Sequence, residues 1–145
     1  MKYFILFILL LLTYHRTTNA EVVINEIHYN SEPNNALNEF IELHNVGNKP
    51  VDISGWFFSD GISYQFNEGT VINANGFLVV SENPERLEIT LGANAVGPFS
   101  GSLSSSGEKV ELKRRDGSVA DTVEYRSKFP WPVGANGTGA SMELI

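Results

Sequence analysis

The sequence contains no cysteine. Thiol nucleophiles, Cys-ligated zinc, iron–sulfur clusters, disulfide scaffolds and a lipidated N-terminal cysteine are therefore excluded. The compartment stays open, because an exported protein can dispense with disulfides. Positive charge is scarce too, with 10 Lys and Arg against 17 Asp and Glu. Phosphate backbones are held by clustered Lys and Arg that displace counterions, so so acidic a chain repels polyanions, which argues against nucleic acid as a partner. Long apolar runs are missing as well. Phe4–Leu12 is unbroken but soon followed by Tyr14, His15 and Arg16, and it falls well short of the roughly 20 residues a membrane-spanning helix needs.

That run has the features of an address. Lys2 precedes it, and Thr18-Asn19-Ala20 offers small residues for cleavage after Ala20, so residues 1–20 are expected to be a secretory signal peptide. An uncleaved anchor would still place the body outside the cytoplasm. Removing Lys2 and Arg16 leaves 8 basic and 17 acidic residues in residues 21–145, a net charge of −9. A domain of that size can bury roughly two-thirds of its unfolded surface and needs no staple.

From Glu21 onward no stretch places apolar residues at i, i+3, i+4 and i+7 over three turns. Short β-branched and aromatic runs recur instead between Gly, Asn, Pro and Ser, the pattern of an all-β domain and of a sandwich rather than a parallel sheet. Strands are expected at Val22–Tyr29, Glu39–Asn45, Val51–Ser54 continuing through Trp56–Ser59, Tyr64–Phe66, Thr70–Ile72, Phe77–Ser81, Lys109–Arg114, Val119–Tyr125 and Ser141–Leu144. Asn75-Gly76 suits a tight hairpin entering Phe77, and Asp116-Gly117 a firmer one between Val110–Leu112 and Val119–Val123, since both dipeptides tolerate positive φ. Ser81–Gly101, with Pro84 and Pro98, is expected to cross the body as a loop with at most one short helical turn. The expected core is Ile24, Ile41, Leu43, Ile53, Trp56, Val79, Val110, Leu112 and Val123.

Catalytic motifs are missing. There is no G-x-S-x-G elbow, no phosphate-binding G-x-x-x-x-G-K-[ST] and no glycine-rich strand-to-helix turn. Ser106-Gly107-Glu108-Lys109 spells S-x-x-K in a turn, without its companions S-D-N and K-T-G, and is read as chance. The basic run Lys113-Arg114-Arg115 at a hairpin end is too short for a nucleic-acid footprint. Asn136-Gly137-Thr138 is read as a turn rather than a glycosylation site.

Val23-Ile24-Asn25-Glu26-Ile27, then Asn38 to Asn45 (NEFIELHN), then Val51-Asp52-Ile53-Ser54-Gly55-Trp56, resemble in order and spacing the lamin-tail domain in its exported bacterial form. Asp60-Gly61, Gly76–Val80, Gly107–Gly117, Trp131-Pro132 and Gly137–Leu144 continue the resemblance over nearly all of residues 22–145. It implies an immunoglobulin-like β-sandwich, in agreement with the strand pattern, and it carries no catalytic residue to transfer. Such domains often sit beside hydrolase, adhesion or spore-coat-kinase-like modules.

Several constellations invite chemistry. Asn25-Glu26 and Glu39-x-x-Glu42 with Asn45 put carboxylates and amides on two strands that could be neighbours, where paired carboxylates bind calcium or divide acid and base roles. Hydrogen bonding, for example to loop amides near Gly55, is the favoured reading. His28 and His44 could share a metal with Glu26 or Glu42, but two histidines without a third fixed ligand carry little weight against strand-end packing. Trp56-Phe57-Phe58 and Phe129-Pro130-Trp131-Pro132 could form platforms for sugars or peptides. Burial is favoured for Trp56 and packing for Trp131.

The reading is a signal peptide (residues 1–20) and a lamin-tail-like β-sandwich (residues 21–145), a secreted or envelope-surface module that binds a protein or glycan. No catalytic, cofactor-binding or metal residue and no cofactor is assigned, and neither nucleic acid nor a membrane span after cleavage is expected. One alternative is a calcium-dependent adhesion or glycan-binding domain, favoured by clustering of Glu26, Glu42 and Asp60 or by an exposed aromatic pair. The other is the accessory domain of a larger exported enzyme, which the downstream reading frame would reveal.

Overall fold

The computed structural model describes residues 21–29, 39–129, 131, 135 and 140–144. The expected leader and Asn136-Gly137-Thr138 lie outside the described residues. In chain order the elements are β1 (Val22–His28), β2 (Phe40–Asn45), β3 (Val51–Asp52), β4 (Phe57–Asp60), β5 (Ile62–Gln65), β6 (Val71–Ile72), β7 (Phe77–Ser81), α1 (Pro84–Leu91), β8 (Ala95–Val96), β9 (Ser100–Gly101), β10 (Gly107–Lys113), β11 (Val119–Arg126) and β12 (Met142–Glu143). A first sheet has the order β12-β1-β2-β7-β8, antiparallel except for the parallel pair β7–β8, and a second, antiparallel sheet has the order β11-β10-β4-β5-β9. A small pair, β3–β6, completes an all-β, immunoglobulin-like sandwich with one short helix.

Alternation builds the core. Ile41 and Leu43 of β2, Val110 and Leu112 of β10, and Ile53 are all fully buried, and with Ile24, Phe58, Phe66, Val80 and Tyr125 they form one cluster drawn from both sheets. Polar residues between the apolar ones turn outward, which is what a period of two does when one face meets a core. The sheets are tied at one side where the Asp121 carboxylate accepts the Ile24 N–H at 2.8 Å, beside the bulge between Ile24 and Glu26. Above it the rings of Tyr29 and Tyr125 meet with centroids 4.7 Å apart. The Tyr125 hydroxyl donates to the Ser104 carbonyl at 2.8 Å and to Glu108 at 3.1 Å. Burial, then the Glu108 charge, keeps this phenol protonated far above its ordinary range.

Asn45 is the polar counterpart of this core. Its buried amide donates to the carbonyls of Lys49, Ile72 and Asn73 at 2.8, 3.0 and 3.0 Å, and its oxygen accepts the Gly47 N–H at 2.9 Å. One side chain thus fixes the exit from β2 and the approach to β7.

Several expectations need correction. The strand from Val51 through Ser59 is not continuous, because β3 pairs with β6 while β4 pairs with β10 and β5, and Val123 is only partly buried against the core. The Asn75-Gly76 turn exists, with Asn75 at φ 54, yet it joins no hairpin, because β6 pairs with β3 while β7 pairs with β2. Ser81–Gly101 is not mere loop. Asn83 accepts the Arg86 N–H, Pro84 fills the first turn where no donor is needed, and Gly92 closes the helix at φ 66, a complete set of helix signals. Val79 is half-buried and stands opposite Glu42, whereas Val80 enters the core; the four apolar residues Phe77–Val80 do not alternate, so their inward face was not readable. Trp56 is only partly buried against the core, and the Arg114 guanidinium lies 5.4 Å above its ring.

Candidate functional site

The register of the first sheet assembles a feature that no single segment reveals. Glu26 stands directly opposite Glu143 on one side and Glu42 on the other. Directly opposite residues share a face, and the inward neighbours Ile41, Leu43 and Met142 are buried, so three carboxylates form one cross-strand row on the outer face. Asn25 Nδ2 donates to Glu42 at 2.9 Å, and the Ser141 hydroxyl donates to Glu26. The expected loop amides near Gly55 play no part, since the Gly55 N–H goes to the Phe66 carbonyl.

Among the described residues no Lys or Arg forms an ion pair with any of the three. Like charges placed opposite each other across strands are destabilising. The consequence is visible at Glu42, whose carboxyl is pushed up first by burial and then by Glu26 and Glu143, against the opposing influence of Asn25 and His44.

Beside the row His44 is flanked by Val23 and Phe77. The His44 and Phe77 rings stack at 4.2 Å and 14°, and Phe77 is 55% exposed. His28 sits at the other end of β1, opposite Phe40 and buried, with the two rings stacked at 5.0 Å. The two histidines are thus kept apart, and each serves strand-end packing.

Asp60 belongs to the other sheet and bonds Lys109 at 3.0 Å, so Glu26, Glu42 and Asp60 do not cluster. Glu39 reaches from the start of β2 to accept the Leu103 N–H at 2.6 Å. No group of three or more His, Asp and Glu among the described residues is arranged to hold a metal ion. The S-x-x-K residues are occupied otherwise: Ser106 faces Ser104 at 3.0 Å, and Lys109 pairs with Asp60 and Glu111. The basic run is spent locally, with Lys113 on Glu111 at 3.2 Å, Arg114 on Trp56 and Arg115 on Glu68 at 2.9 Å. Trp131 is partly buried against the core.

Two clefts lie elsewhere. One of about 540 Å³ runs between Ser106–Glu108 and Glu124–Phe129, and a shallower one of about 320 Å³ is lined by Phe57, Phe58 and Ser63–Gln65. The carboxylate row lies on the outer sheet face with Glu143 exposed and Glu26 and Glu42 half-buried, where it can accept cationic hydrogen-bond donors beside the flat apolar ring of Phe77. Glu143, Ser141 and Phe77 were missed in the sequence. Period two within Ser141–Leu144 is a signal that sets Glu143 opposite in facing to Met142, but only the pairing of distant strands shows what it faces.

The chain belongs to the lamin tail domain family, whose model matches residues 15–127. No curated protein matches the chain. Lamin tail domains are immunoglobulin-like and generally non-catalytic. The match ends before β12, which pairs with β1 through Glu143 and Met142 and completes the row. No helix among the described residues is long and apolar enough to cross a membrane.

Proposed function

We propose that this domain is a secreted, non-catalytic interaction module that recognises a protein partner through the outer face of its first sheet, and that the partner presents Lys or Arg side chains there. The observation that carries the reading is the row Glu143–Glu26–Glu42 without an internal cation among the described residues. A protein that tolerates aligned like charges gains when a partner neutralises them, and the net charge of −9 after leader removal steers such a partner inward. Secretion is supported by Lys2, Phe4–Leu12 and Thr18-Asn19-Ala20, and N-terminal sequencing of exported protein should begin at Glu21. Absence of catalysis is supported by the family and by the place of the carboxylates, which among the described residues lie on an outer sheet face and line neither of the two clefts.

A Lys-rich peptide titrated against the purified protein tests the reading. The double substitution Glu26→Gln, Glu42→Gln should weaken binding about tenfold, and added salt should weaken it further. Binding untouched by the double substitution, or turnover of a hydrolase substrate that disappears with Glu42→Gln, contradicts it. A neutral glycan stacked on Phe77 is the second reading, favoured by the exposure of that ring; its binding would vanish with Phe77→Ala and ignore salt.

A further inference from the structure

The strands at three sheet edges, β8, β9 and β12, are two residues long, whereas β11 has eight residues and pairs, among the described residues, only with β10. Short edges are a common protection against strand addition, and β11 lacks it. Its unused side can be identified. The Tyr125 carbonyl points at β10, standing 2.4 Å from where a Cβ on Gly107 would be. Backbone alternation therefore turns the N–H and C=O groups of Thr122, Glu124 and Arg126 away from β10. These three residues are exposed. The first half of the strand is spoken for, since Ala120 is the extra residue of a bulge and Asp121 holds Ile24.

We infer that this edge pairs with the β11 edge of a second copy of the chain, antiparallel about a two-fold axis at Tyr125. Charge selects the register. With Tyr125 opposite Tyr125, Glu124 of each copy faces Arg126 of the other, and the symmetry makes this contact twice. Shifting the axis to Glu124 would set like charges face to face. In each centred pair Glu124 and Arg126 exchange two backbone hydrogen bonds, because both present their free groups on that side. Within one copy Arg126 pairs with its own Glu124 at 2.7 Å, with side chains 67% and 62% exposed. The pairing joins two second sheets into one and is isologous, so it closes at a dimer. It uses the edge of the second sheet, whereas the carboxylate row lies on the outer face of the first, and so it stands or falls separately from the proposed recognition site.

Sedimentation equilibrium of the full chain at about 0.15 M salt tests it. The protein should show a reversible dimer. Glu124→Arg alone and Arg126→Glu alone should each weaken it about tenfold or more, since both contacts turn from attraction to repulsion. The double swap Glu124→Arg, Arg126→Glu should restore it. Thr122→Pro removes an outward N–H and leaves the β10 ladder intact, and it should weaken the dimer as well. A monomer at every concentration up to roughly 100 µM, a dimer indifferent to both single swaps, or a double swap without rescue overturns the inference.

Discussion

The two outer faces of the sandwich treat charge in opposite ways. On the second sheet Asp60, Lys109, Glu111 and Lys113 alternate in sign and connect at 3.0, 3.4 and 3.2 Å, and Ser59 adds a hydrogen bond to Glu111 at 2.9 Å. The Ser59 hydroxyl, then Lys113 and Lys109, hold the Glu111 carboxyl below its ordinary range. On the first sheet Glu143, Glu26 and Glu42 share one sign, and burial and mutual repulsion hold Glu42 above its range. Strand pairing brings side chains equally close on both faces, so the contrast lies in residue choice. One face neutralises its own charges, and the other carries a repulsion that the proposed cationic partner would relieve.

The largest effect on stability is expected where the two sheets are joined. Asp121→Ala leaves the Ile24 N–H without its acceptor and should lower the unfolding free energy by about 1–3 kcal/mol in equilibrium denaturation. Asp121→Asn, which keeps an acceptor oxygen, should recover part of that. If the faces act independently, the variant still binds the Lys-rich peptide once folded.

A matched pair of substitutions sharpens the contrast through its sign. Glu111→Gln should lower the melting temperature at low ionic strength, with the loss fading in high salt. Glu42→Gln keeps an oxygen for Asn25 and removes a like charge, and it should raise stability at neutral pH by under about 1 kcal/mol after solvent screening. The pH dependences run in opposite directions. Glu111 has a depressed folded pKa, so its contribution is present above its unfolded pKa and is lost as pH falls through the folded value. Glu42 has a raised folded pKa, so the native state binds the proton better. Its favourable contribution is present in acid and is lost as pH rises through the folded value. The advantage of Glu42→Gln should therefore vanish on acidification, and thermal melts between about pH 3 and 7 check both signs.

Much of the frame was legible from residues. The hairpin β10–β11 follows from Asp116-Gly117 flanked by alternating apolar positions, and it is realised with Gly117 at φ 84 and the Arg114 N–H bonded to the Ser118 carbonyl. Strands β1 and β2 announce themselves by length and by buried Ile24, Ile41 and Leu43. By contrast β8 and β9 have two residues each, too few to carry a period, and exist because β7 and β5 offer them partners. The helix is partly legible: the two prolines allow at most one short turn in Ser81–Gly101, whereas Asn83-Pro84, an N-cap and first-turn signature, together with Gly92 at the other end supports the eight residues Pro84–Leu91. The site was half legible. Glu26 and Glu42 stood out as carboxylates on adjoining strands, while Glu143 joined them from a hundred residues away through pairing that sequence spacing does not encode.

The outer face of the first sheet is the proposed recognition surface. Backbone amide chemical shifts followed during titration with a Lys-rich peptide test it most directly. Changes should centre on Glu26, Glu42, His44, Phe77 and Glu143, weaken together as salt is raised and leave Lys109, Glu111 and Lys113 in place. Changes centred on the second sheet, or spread evenly over every acidic position, would contradict it.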